Sequence, residues 1–354
     1  MGPINSDEGD DAQESASAAV EVRTLADLAR LAGVSTGTVS RALAGKSLVN
    51  TDTRERIQAL AKKHGFRPNQ MASKLRSRRT GAIGVVVPLG HAGRQQISDP
   101  FFLTLLGHLA DELTENGYDV MLSRAIPDGT SDWLERMTGS GMVDGVLLMG
   151  QSDQLDVIEQ VSRGYRPLVA WGICREGQNH CVVGTDNLAG GRMAAGHLIA
   201  SGARKLVFLG DTADLEVAER HKGAAAAAAE AGISLLHIPI SLANGEMGPQ
   251  IKAASDECGG DVDGIVCGSD LIAMNVLHCL HERGARVPED VQVVGFNDLP
   301  LATLMSPPLT TVRQDIADCA KAMVEKLRAR IAGEHTGSLV VPPQLIVRET
   351  TRAA

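Results

Sequence analysis

Aromatic side chains are scarce in this chain: five Phe, two Tyr and two Trp among 354 residues, 3% of the total. A protein of this length still buries a large core, so that core has to be built from aliphatic and small side chains, as suits closely spaced α/β layers. No apolar run reaches the ~18 residues that suggest a membrane-spanning helix. The first twenty residues are acidic and rich in Ser and Ala. They lack the basic start and apolar centre of a secretory leader, which predicts a cytoplasmic protein. The six cysteines (Cys174, Cys181, Cys258, Cys267, Cys279 and Cys319) contain no Cys-x-x-Cys pair, so they read as reduced thiols rather than a disulfide framework.

Catalytic fingerprints are missing too. There is no GxGxxG, and no pair of carboxylates stands out as an acid/base couple. Gly45-Lys46-Ser47 looks like the end of a phosphate-binding loop, but that loop needs a glycine where Ser40 stands and a strand before it. His278 and His281 lie three apart with Cys279 between them. Without a third ligand they read as a solvated helix face and not as a metal site. No cofactor, metal or enzymatic activity is expected.

What is present is a very uneven charge. The net charge of −9 divides into −6 over residues 1–21, +10 over 22–80 and −13 over the remainder. A compact basic segment on an acidic body points to nucleic-acid binding by one part and a different task for the other.

The basic segment carries a fold signature. Thr24, with Asp27 three residues on, caps a first helix whose stripe is Leu25, Leu28, Ala29 and Leu31. Gly33 breaks it, and Ser35 caps a second helix that runs to Leu43. Asn50 or Thr51 caps a third with Ile57, Leu60 and Ala61 inward, ended by Gly65. Small Ala29 lets two helices approach, Gly33 permits the turn, and Val34 and Val39 pin the second helix. Thr36, Gly37, Ser40 and Arg41 are left facing out, which is the helix-turn-helix arrangement for DNA.

Beyond Gly81, short apolar runs at 83–87, 143–149, 168–171, 205–209, 264–267 and 291–296 alternate with helical patterns at 102–116, 153–163, 188–201, 217–231, 270–283 and 315–332. The expectation is an α/β body of two doubly wound parallel sheets, with 339–347 as one returning strand. The predicted layout is a disordered acidic tail (1–21), a headpiece (22–67), a hinge helix (68–79) and an effector-binding and dimerisation domain (80–354). Crossovers between its subdomains are expected near 184, 312 and 338.

The segment 24–79 resembles the headpiece and hinge of the LacI/GalR family of bacterial repressors. The resemblance rests on Val34-Ser35, Thr38-Val39-Ser40-Arg41, Thr53-Arg54, Phe66-Arg67-Pro68-Asn69, Ala72 and Leu75. It continues through the body in Ile83–Val87, Gly117-Tyr118, Val143-Asp144-Gly145, Asp186-Asn187, Gly190-Gly191, Val293–Asp298 and Pro308–Val312. Only the acidic tail falls outside it. The resemblance implies two Rossmann-like subdomains like those of periplasmic sugar-binding proteins, with an effector between them.

By position, the resemblance implies that Thr36, Gly37 and Arg41 read bases, and that Thr24, Ser35, Thr38, Ser40 and Asn50 hold phosphates. Arg41 can bond guanine O6 and N7 together, whereas Gly37 offers no side chain, and Thr36 and Gly37 can instead be plain helix-start residues. Asn69, Ala72 and Leu75 belong to the hinge, with Leu75 as a minor-groove wedge. In the body it implies an effector cleft built from Phe101, Phe102, Gln151, Trp171, Arg220, Ser269, Asn297 and Gln314. Phe101 or Phe102 can instead be core, and Arg220 can instead pair with Asp214 or Glu216 on the surface. The expected partners are a palindromic DNA operator, a second copy of the chain and a small effector, a sugar or alternatively a nucleobase-type corepressor. With no leucine heptad after the last strand, a closed dimer is expected.

Overall fold

A computed structural model describes residues 22–43, 48–66, 79–88, 97–125, 132–151, 153–241, 247–257 and 262–353. The acidic tail, Asn69, Ala72, Leu75 and Lys46-Ser47 lie outside the described residues. The chain divides after Arg78 into two compact units.

The first unit packs three helices: α1 (Leu25–Ala32), α2 (Thr36–Leu43) and α3 (Thr51–Lys63). Thr24 and Asp27 close a capping box, the Thr24 hydroxyl accepting from the Asp27 N–H at 3.2 Å and the Asp27 carboxylate from the Thr24 N–H at 3.0 Å. Gly33, at φ +64°, ends the helix in the left-handed conformation that costs glycine least. Ser35 accepts from the Thr38 N–H at 3.2 Å, and Asn50 caps α3 by accepting from the Asp52 N–H at 3.0 Å. Leu28, Val39, Ala42 and Ile57 close the core completely.

The second unit holds two six-stranded sheets. The first sheet contains β1 (Ala82–Pro88), β2 (Asp119–Ala125), β3 (Gly145–Leu148), β4 (Leu168–Trp171), β5 (Cys181–Thr185) and β11 (Leu339–Val341), in the order 11-5-4-3-1-2 and all parallel. The second contains β6 (Leu206–Leu209), β7 (Leu235–Ile238), β8 (Gly264–Cys267), β9 (Gln292–Asn297), β10 (Thr310–Arg313) and β12 (Gln344–Ile346), in the order 12-10-9-8-6-7. Only β12 runs antiparallel to its neighbour in this second sheet. Pro342 and Pro343 supply no N–H for pairing, so the apolar run 339–347 is two short strands in different sheets and not one returning strand.

Helices α4 (Pro100–Glu115) and α11 (Ile316–Ile331) cover one face of the first sheet, while α5 (Trp133–Gly139) and α6 (Leu155–Ser162) cover the other. On the second sheet, α7 (Asn187–Ala200) and α8 (Leu215–Glu230) cover one face, and α9 (Met247–Glu257) and α10 (Asp270–Glu282) the other. Strands covered on both faces have no solvent side, which is why Val146, Leu147 and Leu148 run apolar without alternation. In both sheets the first five strands follow the 2-1-3-4-5 order, whose switch point opens a crevice off the carboxyl ends of the strands.

The two helices behind the second sheet meet backbone to backbone. A Cβ at Gly223 would be driven into the Leu188 carbonyl oxygen, and one at Gly191 into that of Arg220. This contact seats Arg220 against the sheet. Replacing Gly223 by Ala is expected to lower the stability of this unit by about 1–3 kcal/mol through overpacking. Denaturant unfolding checks this, and an unchanged midpoint would contradict the backbone contact.

Candidate functional site

In the first unit, the residues singled out for DNA gather at helix starts. Thr24, Ser35 and Asn50 stand at the N-termini of three helices, where orphan N–H groups and the helix dipole favour phosphate. Thr36, Gly37 and Arg41 are exposed on α2, and Thr38 and Ser40 are half-buried. The Arg41 Nε donates to the Gly37 carbonyl oxygen at 3.1 Å, which steers the rest of the guanidinium along the helix N-terminus. A Cβ at Gly37 would lie in ordinary contact, 3.8 Å from Arg41 Nη2, so packing does not require glycine there.

In the second unit, a cavity of about 90 Å³ lies between the two sheets, lined from both. Phe101, Phe102, Gln151, Trp171, Arg220, Ser269 and Asn297 all line it. Phe101 lies edge-on to Trp171 with ring centroids 5.3 Å apart, while Phe102 is buried in the core of the first sheet. Of the two aromatic residues, the half-buried Phe101 is thus the more open to a ligand.

Arg220 is 6% exposed and is not a surface ion-pair partner. Its Nε donates to Asn187 Oδ1 at 2.8 Å and its Nη1 to the Gly268 carbonyl oxygen at 2.6 Å. The guanidinium carbon lies 3.9 Å over the Phe296 ring. Burial lowers its pKa to about 10, against the upward pull of Asp214, Glu216 and Asp270, so it stays charged at neutral pH.

Asn297 adopts φ +123°, a costly conformation for a residue with a side chain, and its Oδ1 accepts from Gln314 Nε2 at 2.6 Å. Gln314 does not line the cavity and is placed as support behind Asn297. The Ser269 hydroxyl caps α10, accepting from the Ile272 N–H at 3.3 Å. Gln151 is wholly buried and its amide is engaged by protein: Oε1 accepts from the Ile173 N–H at 2.8 Å, and Nε2 donates to the Ile173 carbonyl oxygen at 3.2 Å.

Four lining carboxyl groups were not singled out from the sequence as ligand contacts: Asp99, Asp211, Asp214 and Glu216. Their signal is weak because each also serves or borders a helix start. Asp99 accepts from the Phe101 N–H at 2.8 Å, and Asp214 from the Glu216 N–H at 3.0 Å. Burial, and then the Asp214 charge, raises the Asp99 pKa. Burial first, and then the charge of Asp214 and a side-chain hydrogen bond with it, raises Glu216 well above the ordinary carboxylate range. The described lining of the cavity is therefore acidic, with one cation, Arg220, already committed to protein acceptors.

Comparison with known proteins places both units. The family described as bacterial regulatory proteins, lacI family, matches residues 24–69, and a periplasmic binding protein-like domain matches residues 195–351. The HTH-type transcriptional regulator CelR of Thermobifida fusca is 32% identical over 339 residues, covering 92% of this chain and 98% of the relative. The ribose operon repressor of Halalkalibacterium halodurans is 29% identical, covering 93% and 97%. Among solved structures, a CelR–cellobiose complex is similar with a TM-score of 0.64 at 29% identity, covering 93% of this chain and 100% of that one. A lac repressor dimer bound to operator and the anti-inducer ONPF shares the fold, with a TM-score of 0.79 at 23% identity over 93% and 99%. Among the described residues, no helix is long and apolar enough to cross a membrane.

The raised Glu216 carboxyl has a measurable consequence. The folded state keeps a proton there that the unfolded chain has lost, so this group's contribution is complete below the ordinary carboxylate pKa and fades as pH rises through the folded value. Glu216→Gln removes that titration. The thermal midpoint of the variant is expected to gain on wild type between about pH 5 and about pH 8.5. Parallel profiles would contradict the shift.

Proposed function

The chain belongs to the lacI family of bacterial regulatory proteins, and from that premise we propose that it is a repressor whose grip on operator DNA is set by an uncharged sugar in the cleft. It is a sequence-specific DNA-binding transcription regulator, and no catalytic step is assigned to it. Two copies form a homodimer and meet a palindromic operator, with recognition helices about one helical turn apart, roughly 34 Å. Thr36, Gly37 and Arg41 face base edges, while Thr24, Ser35, Thr38, Ser40 and Asn50 face phosphates. Asn69, Ala72 and Leu75 of the hinge enter the central minor groove, where the leucine wedges a base step.

The observation that carries the effector reading is the composition of the cavity wall. Phe101 and Trp171 offer apolar ring surface, and Asp99, Asp211 and Asp214 offer acceptors around Arg220, the one cation among the described lining residues. Sugar hydroxyls are donors that suit carboxylates, and sugar C–H faces suit aromatic rings. A phosphate ester brought among these carboxylates meets like charge at low dielectric, with no free cation among the described lining residues to offset it. Cellobiose, bound by CelR in its solved complex, is the first probe.

Two measurements test the proposal. A mobility shift with palindromic DNA is expected to show specific binding, which Arg41→Ala weakens by ~1–3 kcal/mol without unfolding the headpiece. Equal affinity of the two proteins would overturn the DNA assignment. A thermal-shift panel of cellobiose, ribose and sucrose against their phosphates should give stabilisation by a neutral sugar only. Stabilisation by a phosphate alone would overturn the effector class.

A further inference from the structure

Behind the cleft wall, a buried histidine contacts a residue that lines the cavity. His180, just before β5, is 2% exposed. Its Nδ1 meets the Glu159 carboxylate on α6, and its Nε2 lies 2.7 Å from Gln151 Nε2. Donor and acceptor roles along this chain follow from a backbone group. The Ile173 N–H can only donate, so the Gln151 atom facing it at 2.8 Å must be the oxygen Oε1. The other Gln151 atom is then the NH₂ group, which donates to the Ile173 carbonyl oxygen at 3.2 Å and to His180. His180 Nε2 must therefore accept, and its proton sits on Nδ1, directed to Glu159.

That arrangement reaches the cleft. With both atoms of its amide on the Ile173 peptide groups, Gln151 clamps the turn after β4. Gly172 in that turn has φ +154°, and a Cβ there would collide with the Gln151 side chain. Trp171, the residue before this turn, lines the cavity against Phe101.

A second proton on His180 cannot coexist with this clamp. It would set an N–H against the Gln151 NH₂, and turning the amide over would set that NH₂ against the Ile173 N–H. We propose that His180 is a positioning residue of the cleft wall, locking Gln151 and the Trp171–Ile173 turn when neutral and releasing them when protonated. The inference takes the cavity to be the effector site, as argued above, and adds a pH-dependent control of its wall.

The groups facing His180 are few. Glu159, although partial burial pushes it up, is held down to about 2 by the Asn179 N–H, the His180 ring and the Asn179 amide. Burial lowers the His180 pKa, Glu159 draws it up and Arg330 of α11 pushes it down. Gln178, whose Nε2 donates to the His180 carbonyl oxygen at 3.2 Å, and Asn179 are uncharged. Arg163, Arg166, Glu334 and His335 line the outer depression beside it. Asp99 and Glu216, whose carboxyls are raised, line the same cavity as Gln151, so the test has to separate them from His180.

The ligand-free full chain serves for the test, so the outcome does not depend on whether any sugar binds. ¹⁵N spectra of the imidazoles, with His180 identified by its absence in His180→Gln, are expected to show Nδ1 protonated and Nε2 bare at about pH 7.5. A protonated Nε2 at that pH would overturn the proposal. The 5-fluorotryptophan resonance of Trp171, assigned with Trp133→Phe, is expected to shift as His180 takes up its second proton. Glutamine at position 180 offers an acceptor that does not titrate. His180→Gln should therefore keep the high-pH position of that resonance and lose the transition. A transition that persists unchanged in His180→Gln belongs to the cleft carboxyls and would also overturn it.

Discussion

The architecture of the body turns on one buried cation. The Arg220 guanidinium is held by Asn187 Oδ1, the Gly268 carbonyl oxygen and the face of Phe296. These partners belong to the start of α7, the residue just after β8 and the end of β9. Asn187 is itself fixed, its Nδ2 donating to the Thr185 carbonyl oxygen at 3.0 Å, where the chain leaves the first sheet for the second. A charge this far from water is tolerated only with partners and hydrogen bonds around it. Asp214, Glu216 and Asp270 supply the opposing field. The same atoms that stabilise the interior thus define the floor of the cleft.

The cleft follows from topology and from close packing together. Two sheets with the same strand order each present loops at their carboxyl ends, and the chain passes between them three times: after β5, after β10 and between β11 and β12. Glycines on α7 and α8 bring Arg220 to the second sheet. Strain collects at the same place, in Asn297 and Asp298, whose φ angles are +123° and +54°. The Asp298 carboxylate takes the Arg313 Nε at 2.7 Å and the Arg348 Nη2 at 2.6 Å, which holds the strained turn in place.

Strands buried on both faces, such as β3 and β8, stood out in the sequence because nothing polar interrupts them. Edge strands did not. β2 reads Asp-Val-Met-Leu-Ser-Arg-Ala and β7 Leu-Leu-His-Ile, and each is paired on one side only, so solvent exposure blurs the pattern. The short α5 was hidden because it is barely two turns long. Arg220, Asn297 and Trp171 were legible only through family resemblance. The carboxyl groups around them were not, since they come from two separate connections, after β1 and from β6 into the start of α8, and read locally as caps. The engagement of Gln151 with Ile173 and His180 joins residues 22 and 29 positions apart, which no local pattern reveals.

Under the proposed function, occupancy of the Arg220 cleft changes the hold of the headpiece on DNA. Fluorescence anisotropy of labelled operator bound by the full chain, followed during addition of the neutral sugar that stabilises the protein, measures that coupling directly. The expected result is a sugar-dependent change in operator affinity that Arg220→Met abolishes while operator binding itself persists. An operator affinity that the bound sugar leaves unaltered, or a response that survives Arg220→Met undiminished, would contradict it.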